Sequence, residues 1–322
     1  MVADAHIDPA AGAAGLNRQP RIGETLIRGI LFMCGAVSIV TTFGIVYELG
    51  KESLLFFRDD RVSIGEFLTG TVWQPPNSFG IWALVLSTML VAIIALLVAL
   101  PIGLASAIYL SEYASERFRS IVKPILEVLV GVPTVVYGFF ALTFMTPWLR
   151  SIFGQNVVGF FNVGSAGIVV GILVVPLISS LAEDSLHAVP DSLREAAYGL
   201  GATRLEVSTR IVLPAALSGV GAAFVVAMSR AVGETMVVAL AAGAAPRNFH
   251  LGQDSLFGYI LNPFQSGETM TGHIVRISTG DVSYNTIDYN SIFVIGLSLF
   301  LMTLALNFLS RWFVGRFREV YE

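Results

Sequence analysis

Apolar residues in this chain come in long runs, without the strict alternation of a half-buried strand. A bilayer-spanning helix needs about 20 mostly apolar residues. Six segments reach or approach that length: 27–47, 81–110, 122–146, 165–183, 213–243 and 290–312. The second and fifth are long enough to tilt or to project beyond the hydrocarbon. Residues 151–164 (SIFGQNVVGFFNVG) are too short and too broken by Gly and Asn to span, and read as an interfacial loop. The pattern predicts an all-α integral membrane protein with six transmembrane helices. Pro101, Pro124, Pro133, Pro147, Pro176 and Pro214 stand inside or at the rims of these runs. In lipid such prolines mark kinks and re-entrant turns whose freed carbonyls neighbouring groups must satisfy.

The polar intervals set the orientation, because cytoplasmic loops carry the excess of Arg and Lys. With the N-terminus inside, twelve of the 19 basic residues fall on the cytoplasmic side, six fall outside, and Arg230 lies within a span. Both termini are therefore expected in the cytoplasm of a cell-membrane protein. Residues 1–24 read as a disordered cytoplasmic tail and 25–322 as the transmembrane domain. The tail has neither a basic n-region nor an apolar h-region, so it does not read as a signal peptide. Two outer loops, about 48–80 and 244–289, are rich in Gly, Pro, Asn and aromatic residues. That composition suits ordered loops that meet a partner or cap a pathway.

Composition sharpens this picture. The chain is 55 % hydrophobic and 13 % charged, against about 25 % charged in an ordinary soluble domain. A net charge of −4 leaves no surplus of cations for nucleic acid. Cys34 is the single cysteine, which excludes an internal disulfide or CxxC site; it is expected to be buried. His6, His187, His250 and His273 show no metal-ligand spacing and read as surface residues. Glu127 is expected to pair with Lys123 and Arg119, and Glu183 and Asp184 to be solvated. No Ser–His–Asp or paired-carboxylate arrangement stands out, so the chain does not read as an enzyme. Gly50-Lys51 lacks the rest of a phosphate-binding loop.

Residues about 186–214 form the most informative polar interval. Ser192 and Glu195 spell a capping box, as do Thr203 and Glu206. Gly199 and Gly201 can end the first helix in a left-handed turn. Two short capped helices are therefore expected, the second running to about Leu213 and broken by Pro214. Ala196 and Ala197 leave one side of the first helix bare for close approach. Arg194, Arg204 and Arg210 are balanced by Asp191, Glu195 and Glu206, which argues against a DNA-reading helix–turn–helix. A plain loop and a docking element for a cytoplasmic partner remain. Glu195-Ala196-Ala197, then Gly201, Ile211 and Leu213-Pro214 resemble the EAA loop of binding-protein-dependent ABC importer permeases. That resemblance implies the type I ABC importer permease fold, with this helix–turn–helix as the element that couples to an ATPase subunit. ATP and magnesium are then expected on the ATPase, with no cofactor on this chain.

One charged pair lies inside a span. Arg230 and Glu234 stand four residues apart in Ser229-Arg230-Ala231-Val232-Gly233-Glu234-Thr235-Met236, a spacing that lets them share one face of a continuous helix. A charge at the bilayer centre costs about 2.5–3.5 kcal/mol on insertion scales. The pair therefore reads either as a packing ion pair or as an anion site or gate, since guanidinium forks match tetrahedral oxyanions. The stretch is similar to the fifth-span motif of phosphate-importer permeases of the PstC/PstA kind. Residues 107–113 and 123–138 look more like the PstC-type subunit. The resemblance implies transport roles for Arg230 and Glu234, with Ser229 and Thr235 beside them on the pathway. It also implies partners: a PstA-like permease, an ATPase dimer, an external phosphate-binding protein, and the lipid bilayer around them. Importers of molybdate or sulfate, and a secondary transporter or channel using the Arg230–Glu234 pair, are the alternatives.

Overall fold

The computed structural model describes residues 22–250, 252–280, 283 and 286–316. Residues 1–21 of the expected tail lie outside them, while 22–24 already belong to the first helix. The chain divides into two compact units between Glu48 and Leu49. The first unit's described part is helical, the beginning of α1 (Ile22–Phe57). Its side chains are largely exposed, Cys34 among them, against the expectation of a buried thiol. Among the described residues no segment of its own unit covers this apolar surface, which is the kind of face that lipid or another chain covers in a membrane.

The second unit begins with the end of α1, then α2 (Ile64–Thr69) and a hairpin of β1 (Trp73–Gln74) and β2 (Ser78–Phe79). Next come α3 (Trp82–Ile108), α4 (Glu116–Val130), α5 (Thr134–Phe140), α6 (Thr146–Phe153) and α7 (Val163–His187). The polar interval supplies α8 (Asp191–Gly199), α9 (Arg204–Val207) and α10 (Leu213–Ala215), before α11 (Leu217–Val232) and α12 (Met236–Ala241). A further helix α13 (Met270–Thr279) and the last span α14 (Ile287–Arg316) complete it. Among the described residues, five helices are long and apolar enough to cross a membrane. A sixth crossing is made if Arg204–Ala215 and Leu217–Val232, bent by 73° at Ala216, count as one broken span.

The core is built where α3 and α7 lie side by side. Small residues let them approach: a Cβ at Gly171 would stand 2.8 Å from the Ala95 carbonyl oxygen and 2.9 Å from Val98 Cβ. Val91, Ala95, Ala99, Val170, Val174 and Ile178 fill that contact, with Ala227 and Ala231 of α11 against it. A second cluster lies at the end of the bundle expected outside, where Phe56, Phe67, Trp73 and Phe79 pack edge to face beside Met270 and Ile295. A third lies under α8 and α9, around Leu186, Val189, Ala197, Val207 and Val212.

The third span begins later than its hydropathy predicts. Residues 122–130 belong to the amphipathic α4, and the membrane-length run is Thr134–Phe153, on the far side of Gly131-Val132-Pro133. Pro133 donates no backbone hydrogen bond and disfavours helix at the residue before it, so one run becomes two. Arg119 and Lys123 on α4 do not hold Glu127. Arg119 pairs with Glu183, and Lys123 with Glu183 at 2.8 Å and with Asp184. Glu183, expected in solvent, is 1 % exposed because α4 covers it with these two cations. Burial draws the Lys123 pKa down, but its bonds to Asp184 and Glu183 outweigh that and raise it. His187 likewise meets Arg119, at 3.1 Å.

Candidate functional site

Ser229 and Arg230 occupy the last turn of α11, and the helix stops at Gly233. Glu234 lies in the break, and Thr235 precedes the first residue of α12. The spacing predicts a pair on one continuous helix; the structure instead puts the pair across an interruption. The cause is visible at Glu234. Its Oε1 accepts from the Met236 and Val237 amides at 3.2 and 3.4 Å, so its carboxylate caps α12. A carboxylate at a helix N-terminus satisfies amides that have no partner within the helix and faces the positive end of its dipole.

The two charges differ in setting. Glu234 is 2 % exposed, whereas the Arg230 side chain is 46 % exposed and its Nη2 stands 3.7 Å from Glu234 Oε2. That distance is an ion pair without a close hydrogen bond. The guanidinium therefore has donors to spare, while its carboxylate is engaged by backbone. Ser229 donates to Asn307 Oδ1 of α14 at 2.8 Å, tying the Arg230 turn to the last span. The Thr235 hydroxyl donates to the Gly233 carbonyl at 3.2 Å.

The 244–289 loop, expected outside, seals the other side of the break. Thr271 of α13 donates to the Glu234 carbonyl at 2.7 Å, and the Met270 amide donates to Thr88 of α3 at 3.0 Å. Glu268, 1 % exposed, accepts from Arg276 Nε at 2.6 Å and stands 3.2 Å from His273 Nδ1. His273 is also 1 % exposed, not the surface residue expected, because the edge of its ring packs against Trp73. Arg247 is 2 % exposed and donates to the carbonyls of Ile260, Asn262, Gln265 and Ser266. Burial pulls its pKa down from the usual arginine value, though a guanidinium stays protonated.

In the interval expected in the cytoplasm, Thr203 and Glu206 form the expected capping box. Ser192 does not cap. The helix starts at Asp191 behind Pro190, whose fixed φ already suits a helix entry, and Ser192 falls inside the first turn. Gly201 has φ +85 and makes the left-handed turn, while Gly199 remains helical. Arg194 turns inward: it donates to Glu112 Oε1 at 3.0 Å and to the carbonyls of Leu186 and Val189. Ala197 is buried too. Ser192, Glu195, Ala196, Gly201 and Thr203 are exposed, next to Leu200 at 91 % and Leu205 at 64 %. Glu206 and Leu213 are half-buried and Pro214 is exposed. The element thus has an anchoring face, Arg194 and Ala197, and an open face with exposed leucines.

Sequence spacing missed Glu112, Thr271, Asn307 and Arg247. Their partners lie in other elements, and only Glu112, an acid at the cytoplasmic end of a span, carried any signal. Among the described residues, no group of three His, Cys, Asp or Glu could hold a metal ion.

A family model described as the inner membrane component of binding-protein-dependent transport systems matches residues 99–319. The Probable ABC transporter permease protein YqgH of Bacillus subtilis (strain 168) is 32 % identical over 303 residues, covering 93 % of each chain. The Phosphate transport system permease protein PstC of Xylella fastidiosa (strain 9a5c) is 33 % identical, covering 76 % of this chain and 77 % of its own. Among solved structures, a bacterial alginate ABC transporter in complex with its pentasaccharide-bound periplasmic protein aligns with TM-score 0.60 at 15 % identity. That alignment spans 94 % of this chain and 100 % of that one. The MetNI methionine ABC transporter aligns with TM-score 0.51 at 19 % identity, over 74 % and 95 % of the two chains. At such identities these two likenesses concern the fold alone.

Proposed function

The chain belongs to the family of inner membrane components of binding-protein-dependent transport systems, and from that premise we propose that it carries inorganic phosphate into the cell as one of two permease subunits. The second permease is PstA-like, ATP and magnesium sit on an ATPase dimer in the cytoplasm, and an external binding protein delivers phosphate to the outer loops. Both termini lie in the cytoplasm. This chain performs no covalent chemistry.

One observation carries the substrate reading: a half-exposed guanidinium at a break inside the fifth span, whose carboxylate neighbour is committed to capping α12. Arg230 can turn its free donors to a tetrahedral oxyanion as a planar fork. Glu234 prevents the empty site from holding an unbalanced cation in a medium of low dielectric. The name PstC carried by the Xylella relative supports phosphate over molybdate or sulfate. The open face of α8, with Glu195 and Ala196, supports docking of the ATPase, and Arg194 anchors that face to the end of α3.

The test is ATP-dependent uptake into vesicles holding the complete complex. Labelled phosphate should accumulate with the loaded binding protein outside, and Arg230→Gln should abolish accumulation while the complex still assembles. Equal uptake by the variant overturns the role of Arg230. Accumulation of molybdate or sulfate in place of phosphate overturns the substrate, and uptake that persists without the ATPase favours a secondary transporter.

A further inference from the structure

The first turn of α13 is seated directly on the interruption between α11 and α12. Gly267 and Glu268 donate their amides to the carbonyls of Ala242 and Ala245, just beyond α12. A Cβ on Gly272 would lie 3.8 Å from Ala239 Cα of α12. Met270 is tied to Thr88 of α3 at 3.0 Å, and Thr271, 6 % exposed, donates to the Glu234 carbonyl at 2.7 Å. Among the described residues no backbone amide donates to that carbonyl, because the helix is broken there. The hydroxyl supplies what the helix withholds.

The same residue, Glu234, presents its carboxylate to the α12 amides and to Arg230. A peptide unit held at its carbonyl has little freedom to swing the side chain it carries. α13 is tied to the outer aromatic cluster, since His273 packs on Trp73 and Met270 lies within that cluster. One helix therefore joins the outer cluster to the backbone of the charged pair.

We infer that Thr271 is a positioning residue for transport: its hydroxyl fixes the Glu234 backbone, and with it the carboxylate that caps α12 and faces Arg230. Events at the outer loops reach the charged pair through α13. This rests on the proposed transport role of that pair.

The experiment compares Thr271→Val and Thr271→Ser in the complete complex, by phosphate uptake and by amide exchange at Met236 and Val237. Valine keeps the shape and removes the donor; serine keeps the donor. With Thr271→Val, maximal uptake should fall about fivefold, the scale of one lost hydrogen bond. The half-saturating concentration of loaded binding protein should stay unchanged. Exchange at Met236 and Val237 should speed up, and Thr271→Ser should restore both readouts. Wild-type exchange and uptake in Thr271→Val overturn the inference, and so does a Thr271→Ser variant as impaired as the valine. If wild-type vesicles take up no phosphate, the substrate reading falls. The exchange measurement then decides the Thr271 inference by itself.

Discussion

Arg247 holds the 244–268 loop from the inside. A buried guanidinium with no acid beside it among the described residues is tolerated because four main-chain carbonyls surround it. Removing it leaves the Ile260, Asn262 and Ser266 oxygens without that donor, each at a cost of about 1–3 kcal/mol, while the Gln265 oxygen keeps the Val163 amide. Arg247→Met, which keeps the bulk, is expected to destabilise the folded loop by about 3–5 kcal/mol. Arg247→Lys should recover only part, since one ammonium cannot reach carbonyls on several sides. Thermal unfolding in detergent and protease cleavage within 244–268 measure both. A second pair, outside the spans, makes a pH prediction. Arg61 bonds Asp59 through its side chain at 2.7 Å and holds that carboxyl at about 2, well below the ordinary aspartate range. A lowered folded pKa means the pair's contribution is complete above the unfolded value and vanishes as pH falls through the folded one. The carboxylate infrared band of Asp59 should therefore persist at pH 3 and be diminished there in Arg61→Gln.

The helix–turn–helix of residues 191–215 has an anchoring face and an exposed one, the proposed docking face, within one short element. Arg194 ties α8 to Glu112 with side chains 13 % and 5 % exposed, and breaking so buried a pair costs about 3–5 kcal/mol. Glu195, one residue on, is exposed. Arg194→Ala should lower the melting temperature and reduce ATPase recruitment together. Glu195→Lys should reduce recruitment and leave the melting temperature unchanged. Co-purification of the ATPase, read beside a thermal melt, separates the two, and an unchanged co-purification with Glu195→Lys removes the docking role. This element also marks what its own residues could disclose. The Thr203–Glu206 box was legible because capping needs only residues three apart. The same spelling at Ser192–Glu195 misled, because Pro190 starts the helix earlier and shifts the register. Arg194–Glu112 was hidden by a separation of 82 positions along the chain. Arg230 and Glu234 were legible as a pair, but the carbonyl freed at the break between α11 and α12 is satisfied by Thr271, far along the chain. Hydropathy likewise found the spans, yet took α4 into the third, because a run of apolar residues does not reveal that Lys123 and Arg119 are turned toward Glu183.

At the scale of the molecule, the rigid and the interrupted parts are distributed unequally. The α3–α7 contact is closed by small residues and has no room for adjustment, so Gly171→Ala should cost about 1–3 kcal/mol in overpacking, read as a lower melting temperature. Residues 191–241 differ: the chain passes from α8 through the turn at Gly201, a 73° bend at Ala216, and the break at Gly233 before α12. Such irregular backbone within a membrane persists where protein groups satisfy it, as Glu234 and Thr271 do here. Each interruption is a place where a helix can change direction without tearing a regular hydrogen-bond ladder. The proposed docking face and the charged pair stand on this one segment, so on the proposed function motion delivered to α8 would reach Arg230 along the chain itself. The path depends on the bend being stiff. Ala216 is 5 % exposed and packs in the cluster beneath α8 and α9, which holds the two arms in a fixed relation. Two glycines inserted between Ala216 and Leu217 should break that relation while leaving α8 intact. The ATPase should still co-purify and hydrolyse ATP at its basal rate, while loaded binding protein no longer accelerates hydrolysis and uptake stops. Retained stimulation and uptake in the insertion variant would place the transmission in another element.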